Sequence, residues 1–103
     1  MSSRLTETEI QQRLLGVEGW VLDGKLIARR YRFHSFPAAI RFVNAVADIA
    51  ERRNHHPFIE IDYKVVTLRL TSWHAGGLTE ADFAEAKEAD HLYSSQLNET
   101  ADD

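Results

Sequence analysis

The clearest pattern in the chain is a set of three stretches in which apolar residues recur at the spacing of an amphipathic helix. The first follows Thr6 and Glu9, whose types and spacing fit a capping box. The second follows Ser35, a suitable N-cap, and places Pro37 in the first turn, where its missing N–H does little harm. The third starts at Thr79, with Asp82 three residues later. The apolar stripes consist of Ile10, Leu14 and Leu15, then Ile40, Val43, Val46, Ala47 and Ala50, and finally Phe83, Ala86, either Ala89 or Asp90, Tyr93 and Leu97.

Four shorter stretches alternate apolar and polar residues in the manner of β-strands, and they fall into two pairs. The first pair lies within residues 20–33 and flanks Asp23-Gly24, which suits a tight two-residue turn. The second pair lies within residues 58–72 and flanks a short connection near 62–64. Two hairpins and three helices predict an α+β fold. We expect a two-layer sandwich with three helices on one face of a four-stranded, mostly antiparallel sheet, in the order α-β-β-α-β-β-α.

Length and composition favour one small domain. The chain has 103 residues, 44% of them hydrophobic, so we expect a single domain over residues 1–103, with its core at about 6–97 and an acidic tail at 98–103. The absence of cysteine excludes disulfides and thiolate metal sites. No run approaches the roughly 18–20 apolar residues that span a bilayer, so we expect a soluble cytoplasmic protein. The formal net charge of -4 argues against direct nucleic-acid binding.

The most distinctive polar stretch lies between the second helix and the third strand and reads Glu-Arg-Arg-Asn-His-His-Pro over residues 51–57. Histidine exchanges protons near neutral pH, so two adjacent imidazoles at the end of an element suggest acid/base chemistry or a metal site. Glu51 precedes His55 by four residues and would share a helical face with it, where the carboxylate could orient the imidazole. The same stretch also fits an exposed loop with an ordinary surface ion pair. The pattern alone leaves both interpretations open.

A wider set of residues carries a family resemblance. In chain order these are Glu51, His55, His56, Pro57, Tyr63, Trp73 and Asp82. Their joint spacing resembles the signature of the pterin-4a-carbinolamine dehydratases, also known as the dimerisation cofactor family. Gly19-Trp20, the Phe-rich entry to the second helix and the stretch 75–79 are similar as well. The resemblance covers roughly residues 6 to 97.

The resemblance implies a hydro-lyase that converts 4a-hydroxytetrahydropterin, the product of aromatic amino acid hydroxylases, into quinonoid dihydropterin and water, in support of tetrahydrobiopterin recycling. The reaction needs an acid for the departing hydroxyl group and a base for a ring-nitrogen proton, and it requires no metal or organic cofactor. His55 would be the principal acid/base group, His56 would hold or polarise the pterin, and Asp82 would orient an imidazole. Pro57 would fix the chain beside the substrate.

Trp73 is the main departure from the implied catalytic set. Many family members have a second catalytic histidine at this position, whereas this chain has histidine only at the next residue, His74. An indole cannot transfer protons at neutral pH, but it can stack on a pterin and donate one hydrogen bond. We therefore predict that Trp73 and His74 contact substrate and that more of the proton transfer falls to His55 and water. Glu51 and Tyr63 are predicted to hold the substrate-contacting side chains in place without touching the substrate themselves.

Two other interpretations remain. One is a binding, assembly or coactivator module that keeps the fold with weak catalysis, which Trp73 would favour. The other is a metal site built from His55, His56 and either His74 or His91, which is disfavoured because adjacent histidines point apart. We further expect a homodimer or homotetramer with a pterin ligand and a functional link to an aromatic amino acid hydroxylase. Neither direct DNA contact nor membrane contact is expected.

Overall fold

The computed structural model describes residues 3–100, with side chains through Gln96. The helices in this part of the chain are α1 (Glu7–Leu14), α2 (Phe36–Arg53) and α3 (Glu80–Thr100). The strands are β1 (Val21–Asp23), β2 (Leu26–Arg32), β3 (Phe58–Asp62) and β4 (Val65–Leu70), and a 3₁₀ turn spans Trp73–Ala75. The predicted α+β class and element order are confirmed. α3 reaches into the predicted acidic tail, whereas residues 101–103 and the side chain of Leu97 lie outside the described residues.

The four strands form one antiparallel sheet in the order β1-β2-β4-β3, so both predicted hairpins are present. β2 and β4 occupy the centre, where Tyr31 lies opposite Val66 and Ile27 lies opposite Leu70. These four residues share one face because side chains alternate along a strand, and all four are buried. On the other face, Arg30 is exposed. The helices therefore cover one face of the sheet, and the second face is open to solvent.

The first hairpin turn is displaced by one residue from its predicted position. Asp23 pairs with Leu26 as the last residue of β1, so the two-residue turn consists of Gly24 and Lys25 rather than Asp23 and Gly24. Gly24 has a φ of 64°, a left-handed conformation that glycine adopts without steric strain. The prediction placed glycine second in the turn, whereas the structure uses it first. This shift leaves the pairing of β1 with β2 intact.

α2 is capped at both ends. Ser35 accepts a hydrogen bond from the N–H of Ala38 and forms the predicted N-cap. At the other end Asn54 adopts a φ of 51° and a ψ of 46°, a left-handed C-cap. The helix therefore ends before His55, so both histidines lie in the connection to β3 rather than on the last turn of α2.

α1 packs against the periphery of the core. It begins with the predicted capping box, in which the side chains of Thr6 and Glu9 bond each other's backbone N–H. Arg13 forms an ion pair with Glu80 at 2.5 Å, which links α1 to the start of α3.

Among residues 3–100, no helix is long and apolar enough to cross a membrane.

Aromatic side chains fill the space between β2 and the two long helices. The ring centroid of Tyr31 lies 4.7 Å from that of Phe42 in α2 and 4.9 Å from that of Tyr93 in α3. Phe33 lies 5.1 Å from Phe42 and 5.3 Å from Tyr93. Trp20 is also buried, as predicted. Apolar contact between these rings fixes the two long helices on the sheet.

Asp90 of α3 anchors one side of this aromatic cluster. Its Oδ1 accepts hydrogen bonds from Trp20 Nε1 at 2.9 Å, Arg29 Nη1 at 2.8 Å and Tyr31 Oη at 2.6 Å. Burial and the bond to Asp90 raise the pKa of Tyr31, so its phenol remains protonated and acts as a donor. One carboxylate oxygen thus satisfies buried donors from β2 and from the residue preceding β1.

We predict that Asp90→Ala lowers the free energy of unfolding by about 2–4 kcal/mol, because it leaves the buried donors of Trp20 and Tyr31 without an acceptor. Urea denaturation would measure this loss. Asp48 lies exposed on α2, so Asp48→Ala is a matched control and should change the free energy of unfolding by no more than about 0.5 kcal/mol. Equal unfolding free energies in the two variants would contradict the assigned role of Asp90.

Candidate active site

The side chains of His55 and Asp82 form a hydrogen-bonded pair at the end of α2. His55 follows the left-handed residue Asn54, and its backbone N–H donates to Ala50 O at 3.0 Å. Its Nε2 lies 2.6 Å from Oδ1 of Asp82, in the first turn of α3. The side chain of Asp82 is 0% exposed and that of His55 only 12% exposed. The predicted hydrogen bond between Asp82 and an imidazole is therefore present, and solvent is almost excluded from both side chains.

The second oxygen of Asp82 is held by two further donors. Oδ2 accepts from Ser72 Oγ at 2.7 Å and from the backbone N–H of Thr79 at 2.9 Å. The Oγ of Ser72 also lies 2.8 Å from Oγ1 of Thr79. These bonds leave the carboxylate little freedom to rotate, so it presents one fixed oxygen to His55. The sequence reasoning did not identify Ser72, whereas it named Thr79 with Asp82 at the start of the third helix, and the two residues have the spacing of a capping contact.

The pairing with Asp82 determines which imidazole nitrogen of His55 can react. A carboxylate only accepts hydrogen bonds, so Nε2 carries a proton and donates a hydrogen bond to Asp82. Among the described residues, Nδ1 has no hydrogen-bond partner. The neutral ring can therefore accept a proton at Nδ1, and the charged ring can donate one there. This is the arrangement that a general acid or base requires.

The contact that Glu51 could have made with His55 is not formed. Glu51 Oε2 instead lies 2.6 Å from Nε2 of His56. The helical spacing that would have placed Glu51 beside His55 is interrupted by the left-handed Asn54. The pair of Glu51 and His56 is exposed, with 78% and 56% of the two side chains accessible, so solvent screens it strongly. The two histidines thus bind different carboxylates in different surroundings.

Trp73 lies at the surface on the short 3₁₀ turn after β4. Its side chain is 74% exposed and packs edge-to-face with Phe58, with the ring centroids 6.0 Å apart. The turn is closed by two backbone hydrogen bonds of 3.3 Å between Ser72 and Gly77. His74, on the same turn, is also exposed. Pro57 is half-buried and leads directly into β3.

Tyr63, which was predicted to support the substrate-contacting residues, lies at the far end of β3 from the histidine pair. Tyr63 lies in the turn between β3 and β4, with a φ of 51°, and is 64% exposed. The histidine pair precedes the first residue of β3, whereas Tyr63 follows its last. A strand rises about 3.3 Å per residue, so roughly 13 Å separates the two ends of β3. The extended strand therefore holds Tyr63 away from His55 and His56.

Glu85 is a buried ionisable residue that the sequence reasoning missed. It lies one helical turn after Asp82, is 2% exposed, and neither carboxyl oxygen has a hydrogen-bond partner among the described residues. Burial raises the pKa of Glu85 to about 7, and the positive charges of His55 and Arg53 oppose the shift. The signal in the sequence was its spacing from the buried positions 82, 86 and 89, which places Glu85 on the same face of α3.

Four of the predicted site residues divide among three separate sets of contacts. His55 and Asp82 bond each other, His56 bonds Glu51, and Trp73 packs on Phe58. Within residues 3–100, no group of three His, Asp or Glu side chains is arranged to hold a metal ion, so the metal site of His55, His56 and a third histidine is not formed. A cleft of about 510 Å³ lies on the open face of the sheet, lined in part by Val21, Arg30 and Arg69. That cleft contains none of the predicted site residues.

Sequence comparison relates the chain to one family. The family profile described as Pterin 4 alpha carbinolamine dehydratase matches residues 3–92. A protein of Roseiflexus sp. (strain RS-1), provisionally named a pterin-4-alpha-carbinolamine dehydratase, is 45% identical over 92 residues, which are 89% of this chain and 99% of that protein. A protein of Picosynechococcus sp. (strain ATCC 27264 / PCC 7002 / PR-6) with the same provisional name is 47% identical and is covered completely, against 89% of this chain.

Two solved structures share the fold. A transcriptional coactivator/pterin dehydratase from Brucella melitensis superposes with a TM-score of 0.85 at 32% identity, covering 88% of this chain and 99% of the other. A pterin dehydratase-like protein described as a RuBisCO assembly factor in the alpha-carboxysome superposes with a TM-score of 0.64 at 28% identity, covering 74% of this chain and 90% of the other. Together with the profile match over residues 3–92, these similarities establish that the chain belongs to the pterin-4a-carbinolamine dehydratase family.

Proposed function

We propose that the chain catalyses the dehydration of 4a-hydroxytetrahydropterin to quinonoid dihydropterin and water. The observation that carries the proposal is the hydrogen bond between His55 and the buried Asp82, which holds a reactive imidazole in a fixed orientation at a nearly closed position. Family membership supports the same class of reaction. In a cell that contains an aromatic amino acid hydroxylase, this activity would recycle the hydroxylated pterin.

The proposed reaction breaks the bond between C4a and its hydroxyl group, removes a proton from the neighbouring ring nitrogen and forms a double bond between those two ring atoms. His55 accepts the ring-nitrogen proton at Nδ1, because Nε2 is bonded to Asp82. The imidazolium that results is stabilised by the Asp82 carboxylate. The hydroxyl group takes a proton from solvent and leaves as water, since the indole of Trp73 has no acidic group to supply one.

Substrate binding is assigned to the exposed side chains around the His55–Asp82 pair. His56, which Glu51 holds at 2.6 Å, can hydrogen-bond the polar edge of a pterin. Trp73 offers an exposed aromatic face to the flat ring, and His74 lies beside it on the same turn. Pro57 restricts the chain between His56 and β3. In this scheme the buried pair performs proton transfer and the exposed residues position the pterin.

We predict that the wild-type chain accelerates dehydration of freshly generated 4a-hydroxytetrahydropterin above the spontaneous rate. His55→Ala should lower kcat by about 10²- to 10⁴-fold, the usual contribution of a general acid or base. Asp82→Asn should lower it as well, because an amide no longer holds the imidazole as a carboxylate does. Stopped-flow absorbance would follow formation of the quinonoid product.

His34→Ala is the matched control, because His34 is also a histidine but lies exposed before α2. It should retain wild-type kcat. If folded wild-type protein gives no acceleration, or if His55→Ala and His34→Ala are equally active, the catalytic proposal fails.

We predict that Trp73→Ala raises KM by about 2- to 12-fold with a smaller change in kcat, since one aromatic stacking contact contributes about 0.5–1.5 kcal/mol. Steady-state kinetics over a range of pterin concentrations would separate the two parameters. Phe36→Leu is the control, because Phe36 is exposed, whereas Phe33 is buried in the core. A loss confined to kcat, with KM unchanged, would contradict the stacking role.

A second candidate function is a binding or assembly module with weak catalysis. The exposed aromatic pair of Trp73 and Phe58, at 74% and 50%, supports it, because exposed aromatic side chains are common anchors in protein interfaces. One solved relative is described as a coactivator/pterin dehydratase and another as an assembly factor. Absence of dehydratase activity in folded wild-type protein would favour this candidate over the enzyme.

We propose in addition that the chain forms a homo-oligomer through β3. Within the described residues this strand pairs with β4 alone, so its other edge is free to pair with a second chain. Ile59 and Ile61 on this strand are 37% and 41% exposed and would add apolar contact. Ile61→Lys should reduce the molar mass measured by light scattering to that of the 11.8 kDa monomer. Val21→Lys on the opposite edge strand is the control and should leave the mass unchanged. A monomeric wild-type protein would contradict the proposal.

A further inference from the structure

Glu85 is the one buried carboxyl group near the His55–Asp82 pair to which the described structure gives no hydrogen-bond partner. It projects from α3 one turn beyond Asp82, so the two carboxyl groups lie on the same side of the helix. Burial without a partner strongly disfavours the charged form of a carboxyl group. A glutamate in such a position either remains a neutral acid or depends on a nearby positive charge when it ionises.

The charged groups that act on Glu85 come from both helices and from the connection that follows α2. On the α2 side they are Arg52, Arg53 and His55, and on α3 they are Asp82 and Glu88. Arg52 and Arg53 both pair with Glu88, and these bonds hold the pKa of Glu88 below its usual range. That group of three keeps a constant charge near neutral pH. The imidazole of His55 is then the positive charge next to Glu85 that can change.

We propose that Glu85 is a positioning residue that acts through His55, because its carboxylate stabilises the imidazolium form of His55 and its neutral acid form releases that stabilisation. With Glu85 neutral, protonated His55 and Asp82 sum to zero charge. With Glu85 ionised, loss of the imidazole proton would leave the buried carboxylates of Asp82 and Glu85 without the positive charge of His55, which is unfavourable. The two groups therefore titrate as a coupled pair. The proposal rests on the proposed function only where it concerns turnover.

The pH range of this coupling follows from the burial of Glu85, which raises its pKa from 4.5 to about 7. This range overlaps the ordinary titration range of histidine. Near neutral pH, a change of about one unit would therefore alter the charge on Glu85.

The first test is NMR titration of the full, isotopically labelled chain between about pH 5 and 9. The Glu85 carboxyl carbon should titrate near pH 7, and the His55 ring signals should report two coupled steps. In Glu85→Gln, which cannot ionise, the His55 titration should become a single step with its midpoint lower by at least about half a pH unit, as expected for loss of a nearby charge. The His55→Ala spectrum would assign the His55 signals among the five histidines.

Glu85→Leu provides a second non-ionisable variant and should give the same shift in the His55 midpoint, so that an effect of the new amide can be recognised. Glu18→Gln, on an exposed residue, is the matched control and should leave the midpoint unchanged. The proposal is overturned if His55 titrates at the same pH in wild type and in both Glu85 variants. It is also overturned if the Glu85 carboxyl in the wild-type chain titrates near its ordinary value.

The pH dependence of folding stability tests the raised pKa of Glu85 independently of the NMR titration. Below pH 4.5 Glu85 is protonated in both the folded and the unfolded chain, whereas between pH 4.5 and about 7 only the folded chain retains the proton. Wild-type stability should therefore fall with rising pH across this interval relative to Glu85→Leu, and the difference should be constant at higher pH. Thermal unfolding at a series of pH values would measure it. If the difference in melting temperature between wild type and Glu85→Leu does not change with pH, the burial of an ionisable Glu85 is contradicted.

The pH dependence of kcat/KM distinguishes a positioning role of Glu85 from a merely structural one. If the chain is a dehydratase, the acidic limb of its kcat/KM profile should move to lower pH in Glu85→Gln while the plateau is retained. A lower plateau with an unmoved limb would show a structural role and overturn the proposal. If the wild-type chain has no activity, the proposed function fails, but the NMR titration of His55 still decides the role of Glu85.

Discussion

The carboxylate of Asp82 joins three distant parts of the chain at one buried point. Its two oxygens accept hydrogen bonds from the connection after α2, from the end of β4 and from the residue preceding α3, through His55, Ser72 and the backbone of Thr79. A buried charge is tolerated only when donors surround it. The arrangement of sheet and helices therefore has to bring these three donors together, and the same requirement gives the candidate base its orientation.

Local elements of the fold could be read from the sequence because their causes are local. Ser35 caps α2 through its own side chain, and the alternation around Tyr31 follows from one face of β2 being covered. The turn after β1 was displaced by one residue because glycine can serve either position of a two-residue turn. Such an ambiguity does not alter which strands pair, so the sheet was predicted correctly while its connection was not.

The site was less accessible to sequence reasoning because its contacts are long-range. His55 and Asp82 are 27 positions apart, and family resemblance rather than spacing suggested that they meet. The spacing of Glu51 from His55 suggested a contact that does not form, because one left-handed residue, Asn54, ends the helix early, although asparagine is among the few residues that adopt this conformation readily. Glu85 escaped notice because a charged residue on an apolar stripe is normally assumed to point outward.

The pair of backbone hydrogen bonds between Ser72 and Gly77 closes the short segment between them into a loop, which is structurally separate from the residues that hold Asp82. The residues that anchor Asp82 stand at or beyond the closure of this loop, while Trp73 lies inside it. A change of side chain at position 73 can therefore alter what the surface recognises without disturbing the buried proton-transfer pair. A fold built in this way can exchange ligands or partners through a few loop residues while its chemical centre is inherited unchanged.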